Sequence, residues 1–263
     1  MGIKMLQKLR SFFIKTKVLE EKNLNNITYR VVEKSSIIPS YSNRRAIVFR
    51  VDGSTKTYIH SMIYLDKKNR YQPTFYLPQR VLDLWSEDFS LSENLCLGAA
   101  GCAVPRFLGL NFKESHTVGV EYSKEFIEFA KKYFLLNEIE NQFDLVNDDA
   151  FEYVKNEEIK GKFDSVYIDI FDSNKVPDEV FSMEFTSNLY NITKENSVLV
   201  FNFITEEPQK VEAFANSLKE KYTAKLILQK NLRTVLVLVK SDDEEKAKRF
   251  IQKLNHEGSI ITV

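Results

Sequence analysis

Leu97-Gly98-Ala99-Ala100-Gly101-Cys102-Ala103-Val104-Pro105-Arg106 is the stretch whose reading decides the fold. Asn94-Leu95-Cys96-Leu97 lead into the turn and read as a short buried strand. From Val104 to about residue 110 the spacing is helical. A strand, a turn of small residues and a helix open a β-α-β unit. Glycine is sparse, 8 in 263 residues, so two within four positions suggest a backbone that a ligand approaches closely. The first N–H groups of the following helix lack intrahelical acceptors and favour a polar or anionic group. A bare tight turn accounts for the same residues equally well.

Downstream the unit repeats. The pattern predicts strands at 117–121, 143–146, 163–168 and 197–203. Helices fit 124–136, the residues from 150, a stretch near 178–190, and 207–222. Phe126, Ile127, Ala130 and Phe134 share one helical face. Two further strands, 224–228 and 233–239, lie close together around Asn231, and a last helix fits 242–254. Unbroken apolar strands alternating with helices call for a mostly parallel, doubly wound sheet. The two adjacent late strands predict an antiparallel pair at its end.

Upstream the rhythm is different. Residues 27–33 and 45–51 are β-rich, Asp52-Gly53 offers a tight turn, and 57–65 can return antiparallel. Leu77, Val81, Leu84 and Trp85 share a helical face and lead into the second region. Three segments follow: 1–15, a short N-terminal stretch read as a surface helix; 16–88, a small β domain with its linking helix; and 89–263, the α/β domain.

Composition narrows the function classes. Hydrophobic residues make up 43% and charged residues 28%, which excludes a disordered chain. The 37 basic residues cancel the 37 acidic ones, so net charge gives no nucleic-acid signal. Two cysteines, Cys96 and Cys102, are too few for a disulfide scaffold. His60, His116 and His256 have no metal-ligand spacing with them, so no metal is expected. Residues 1–13 mix lysines among apolar positions and lack a cleavage site, and Leu6 stands where acylation of Gly2 needs Ser or Thr. No stretch reaches the roughly 18 apolar residues of a membrane span. A cytoplasmic protein is expected.

Acidic residues mark successive strand ends. Glu121 ends the second strand, 23 residues beyond Gly98, where a carboxylate can accept both ribose hydroxyls of a nucleoside. Asp149 follows the third strand and can accept the exocyclic amine of adenine; it also suits a helix cap. Ligands of open sheets sit beyond the carboxyl ends of the strands, where the glycine turn and both acids fall. Asp169 and Asp172 follow the fourth strand at the same end. Two carboxylates suit a cationic amine, and one can take a proton from it. The competing reading is an Asx-turn around Asp172-Ser173-Asn174.

These residues resemble the spermidine-synthase-like branch of the class I S-adenosylmethionine-dependent methyltransferase superfamily. The likeness rests on the glycine turn with Pro105-Arg106-Phe107-Leu108, Val120-Glu121-Tyr122, Asp149-Ala150, Asp169-Ile170-Phe171-Asp172 with Val176-Pro177, and Asn202. It implies a Rossmann-like class I methyltransferase sheet after a small N-terminal β domain. It implies S-adenosylmethionine, or its decarboxylated form, beside Gly98, Ala99, Ala100 and Gly101. Glu121 would bind the ribose, and Asp149 with Ala150 the adenine. Asp169 would orient and deprotonate an attacking amine, and Asp172 would bind the amine substrate.

Polyamine synthases carry an aspartate at the position of Gly101, and a glutamine, then a tyrosine and a glutamate, near the first hairpin. Asp52-Gly53-Ser54-Thr55 has no glutamine, and Tyr58-Ile59-His60 only loosely echoes the latter pair. The expectation is therefore a methyltransferase acting on a small-molecule amine or a protein. An aminopropyltransferase acting on a diamine is the alternative, and a non-catalytic dimeric scaffold a further one. A homodimer accompanies the resemblance.

Overall fold

The computed structural model describes residues 14–36, 42–72, 74, 76–172, 175–204, 207–218, 221–230 and 233–261. The expected N-terminal helix, apart from residues 14 and 15, and Ser173, Asn174 and Asn231 lie outside the described residues.

Four strands form an antiparallel meander, in spatial order β1 (Ile14–Leu24), β2 (Ile27–Ser36), β3 (Arg44–Val51) and β4 (Tyr58–Tyr64). Asn25 and Asn26 both have positive φ, 47° and 63°, and close the first hairpin as a two-residue turn. The first strand named from the sequence pattern begins at residue 27. β1 escapes that reading because it is a charged edge strand with little apolar alternation. Its ladder with β2 runs from Ile14↔Ser36 to Leu24↔Ile27.

α1 (Tyr76–Trp85) then leads to a seven-stranded sheet. Its elements are β5 (Glu93–Leu97), α2 (Ala103–Asn111), β6 (His116–Glu121), α3 (Lys124–Tyr133), β7 (Phe143–Asn147), α4 (Ala150–Tyr153), β8 (Phe163–Ile168), α5 (Met183–Ile192), β9 (Thr193–Ile204), α6 (Pro208–Ser217), β10 (Ala224–Lys230), β11 (Arg233–Lys240) and α7 (Glu244–Ile261). The spatial order is β10-β11-β9-β8-β5-β6-β7. β7, β6, β5, β8 and β9 pair in parallel. β11 inserts between β9 and β10 and runs antiparallel to both. The expected α/β architecture with its late antiparallel strands is what the chain adopts.

Strand order reverses on either side of β5, with β6 on one flank and β8 on the other. A crevice opens at such a switch point, outside the carboxyl ends of the strands. All six residues of β8 are buried, as a strand covered on both faces requires.

Ile27, Tyr29, Val31, Ile47, Phe49 and Ile63 line the inner face of the small sheet and pack on Phe126 and Phe129 of α3. Val81, Leu82, Leu84 and Trp85 of α1 lie in the core of the large sheet, with Trp85 edge-on to Phe250 of α7 at 5.1 Å. Among the described residues no helix is long and apolar enough to cross a membrane.

Candidate active site

The glycine turn is built from backbone conformations that side chains avoid. Gly98 has φ of +82°, and a Cβ there would overlap the carbonyl oxygen of Asp169. Only glycine lets the ends of β5 and β8 come this close. Ala100 and Cys102 also take positive φ, 41° and 56°, without being glycine. Such left-handed residues are strained and persist only where surrounding contacts hold them.

Glu121 supplies one such contact. Its Oε2 accepts from the Ala100 N–H at 2.7 Å and its Oε1 from the Ser123 N–H at 2.9 Å. Burial pushes its pKa up; the N–H donors of Ser123, Ala100 and Tyr122 pull it back. Two carboxylate oxygens carry four lone pairs, so with these three donors one is left for a further donor.

Asp149 is the N-cap of α4, its Oδ1 accepting from the Phe151 N–H at 2.7 Å. α2 starts at Cys102, which makes no side-chain cap bond, so its first N–H groups are left to face the turn. A buried acid with a spare lone pair, a second acid one strand along, and an uncapped helix start form a donor and acceptor set that suits a polar ligand with hydroxyl groups.

Asp169 sits just past β8, its N–H bonded to the Leu97 carbonyl at 2.9 Å. Its Oδ1 accepts from Asn202 Nδ2 at 2.7 Å and its Oδ2 from the Tyr167 hydroxyl at 3.2 Å. Surrounding protein strips water from the carboxyl and raises its pKa to about 6, against the opposing pull of Asn202, Arg233 and Tyr167. Among the described residues the Asn202 Oδ1 is buried and without a partner. Asp172 pairs with Lys175 in a two-bond bridge, N–H to carbonyl at 2.8 and 3.0 Å.

The small sheet closes over this end. Ser61 of β4 lies against Gly101: a Cβ at 101 would stand 2.6 Å from Ser61 Oγ and 2.9 Å from Phe134 Cε1. His60 lies among Phe126, Phe49 and Tyr29, tilted against the first and edge-on to the others, at 4.7, 6.1 and 6.4 Å. Burial holds it neutral, with a pKa pushed down to about 4. The Tyr29 phenol is pushed up by burial and by the nearby Asp172 charge. Among the described residues no group of His, Cys, Asp or Glu could hold a metal ion. Both cysteines are free and buried, and burial raises their pKa values, which makes them poor nucleophiles.

Glu121, Asp169 and the glycine turn thus meet around the β5 end, with Asp149 beyond β7. Sequence reasoning missed Tyr167, Ser61 and Tyr29. Tyr167 was detectable, because a residue two before Asp169 shares its face of the strand. Ser61 and Tyr29 had no local signal.

Residues 98–237, more than half of the chain, match the family described as the spermine/spermidine synthase domain. The chain belongs to the spermine/spermidine synthase domain family. It is 27% identical over 157 residues to a polyamine aminopropyltransferase of Vibrio vulnificus, a match covering 58% of this chain and 52% of that protein. It is 26% identical over 120 residues to one of Chromobacterium violaceum, covering 46% and 44%. The chain thus spans about half the length of the curated relatives it matches. A probable spermidine synthase from Corynebacterium glutamicum shares the fold, with a TM-score of 0.65 over 92% of this chain and 94% of that one, at 13% identity. These findings correct the expectation of methyl transfer. That expectation leaned on local departures, Gly101, the missing glutamine after the hairpin and the loose echo at Tyr58-Ile59-His60, whereas the spermine/spermidine synthase match runs from the glycine turn to β11.

Proposed function

We propose that this protein is a transferase of the spermidine-synthase type, moving an aminopropyl group from decarboxylated S-adenosylmethionine to an amine acceptor such as a diamine. The observation that carries the reading is Asp169, a carboxylate in the proton-accepting range, placed against the glycine turn and held by two donors. A sulfonium donor supplies a carbon at which a C–N bond can form as the C–S bond breaks, leaving a neutral thioether. Asp169 orients the incoming amine and takes its proton. Asn202 Oδ1, buried and without a partner among the described residues, is available to accept a second N–H of that amine. Asp172 balances the cationic end of the acceptor. On the donor side we assign Gly98, Ala99, Ala100 and Gly101 to the sulfonium chain, Glu121 to the ribose, and Asp149 with Ala150 to the adenine.

Gly101 brings no carboxylate to the donor's ammonium, and Ser61 leaves no room for one. We therefore assign charge balance in the site to Asp169 and Asp172. A homodimer in the cytoplasm, with domains at 16–88 and 89–263, belongs to the same proposal.

The test is product analysis by mass spectrometry with decarboxylated S-adenosylmethionine and a panel of diamines. We expect an acceptor that gains one aminopropyl unit, together with methylthioadenosine. Asp169→Asn should keep its fold and donor affinity and lose about 10²–10⁴-fold in turnover. A methylated product, or near-normal turnover in Asp169→Asn, would refute the assignment.

A further inference from the structure

Tyr167 lies inside β8, in register with Cys96 of β5 on one side and Val200 of β9 on the other. It is 2% exposed, so its hydroxyl has no bulk water and needs an internal partner. The bond it makes is to Asp169 Oδ2, two residues along the same strand and on the same face. Asn202, from the neighbouring strand β9, takes the other oxygen. Both carboxylate oxygens are thereby tied to the sheet, one by each of two adjacent strands, and each retains a lone pair. A side chain held at both oxygens cannot swing about its terminal torsion, which would otherwise be broad.

We propose that Tyr167 is a positioning residue for Asp169: its hydroxyl, locked in the sheet, fixes the carboxylate so that a free lone pair meets the incoming amine. The proposal rests on the reading of Asp169 as the proton acceptor.

The bond has a second consequence. A hydroxyl donating to a carboxylate favours the ionised form. Burial drives Asp169 the other way, to about 6, and Tyr167 is one of the three groups opposing it. The others are Asn202 on β9 and Arg233 on β11. Glu121 on β6 and the Cys96 thiol on β5 face the same region; Glu121 repels a charge on Asp169, and Cys96 stays protonated under burial. Tyr167 itself is pushed well up by burial and by Asp169, so it remains a donor at working pH. Without it, Asp169 would hold its proton to a higher pH and start the reaction in the wrong state.

The competing explanation is that Asp169 merely satisfies a buried phenol. Titration separates the two. Carboxyl ¹³C NMR on aspartate-labelled protein, with Asp169→Asn to assign the signal, gives the Asp169 midpoint directly and without substrate. Tyr167→Phe keeps ring and volume and removes only the hydroxyl. Its midpoint should rise by about one pH unit, the worth of one hydrogen bond to a charged group. The acidic limb of the kcat profile should move up equally, with KM for the amine within about twofold of wild type. At pH 9, where Asp169 is ionised in both proteins, the loss that comes from protonation should return, and kcat should still stay several-fold below wild type because the carboxylate is no longer held.

An unmoved midpoint in folded Tyr167→Phe overturns the proposal. The wild type gives a second check that needs no variant. The Tyr167 ¹³Cζ signal should titrate with the Asp169 midpoint, and a flat signal overturns the proposal as well. Normal turnover in Asp169→Asn is a different failure: it removes the proton-acceptor reading itself, whatever Tyr167 does.

Discussion

The buried Asp169 carboxyl costs stability, and the sign follows from its protonation. The ordinary carboxyl value is 3.8 and the folded value about 6. Below 3.8 the group is neutral in both states and burial costs nothing extra. Between 3.8 and about 6 the unfolded chain releases its proton first, so rising pH favours unfolding, and above about 6 the deficit is complete. Asp169→Asn should therefore be more stable than wild type by roughly 1–3 kcal/mol near pH 8 and nearly equal to it near pH 3. Urea unfolding at the two pH values measures this; equal differences at both would show that the carboxyl is not strained by burial. Gly98 is the other residue whose identity the site dictates, since its positive φ and the neighbouring Asp169 carbonyl together leave no place for a Cβ.

At the scale of elements, α4 depends on one side chain to which we also assign the adenine. It is a four-residue helix, too short to hold itself, and Asp149 caps it. Asp149→Ala removes the cap and should cost about 1 kcal/mol in global stability. Asp149→Ser retains a capping oxygen on a shorter arm. It should therefore keep most of the stability and still lose nucleoside affinity, which calorimetry with methylthioadenosine would measure. Full affinity in the serine variant would leave Asp149 as a cap and nothing more. α3 is secured in the same way, with Ser123 Oγ accepting from the Phe126 N–H at 3.2 Å, and its position matters because Phe126 and Phe129 are the floor on which the small sheet rests.

The whole molecule is two sheets brought together over one glycine turn. Ser61 comes from β4 and Gly101 from the β5–α2 turn, yet no Cβ fits between them. Gly101→Ala should destabilise by about 1–3 kcal/mol through overpacking. Ser61→Gly clears part of the space. The double variant should therefore be more stable than the sum of the single effects predicts, by about 0.5 kcal/mol or more. Strict additivity in denaturant melts would mean that the sheets are not in contact there.

The sequence by itself determined the βαβ succession, the glycine turn and the acids Glu121, Asp149 and Asp169 at strand ends. These are local facts: apolar runs, turn residues and their spacing are read within about 30 residues, and parallel crossovers put every carboxyl strand end on one side. Tertiary structure alone decided what surrounds them. Asn202 reaches Asp169 from 33 residues away, and Ser61 reaches Gly101 from another sheet. Such contacts depend on how sheets dock and which strands become neighbours, which no periodicity within either segment encodes. For the same reason Gly101 misled the reading of the reaction. A missing carboxylate in the sequence counted against an amine site, whereas in the folded protein Ser61 of β4 fills the space beside that position.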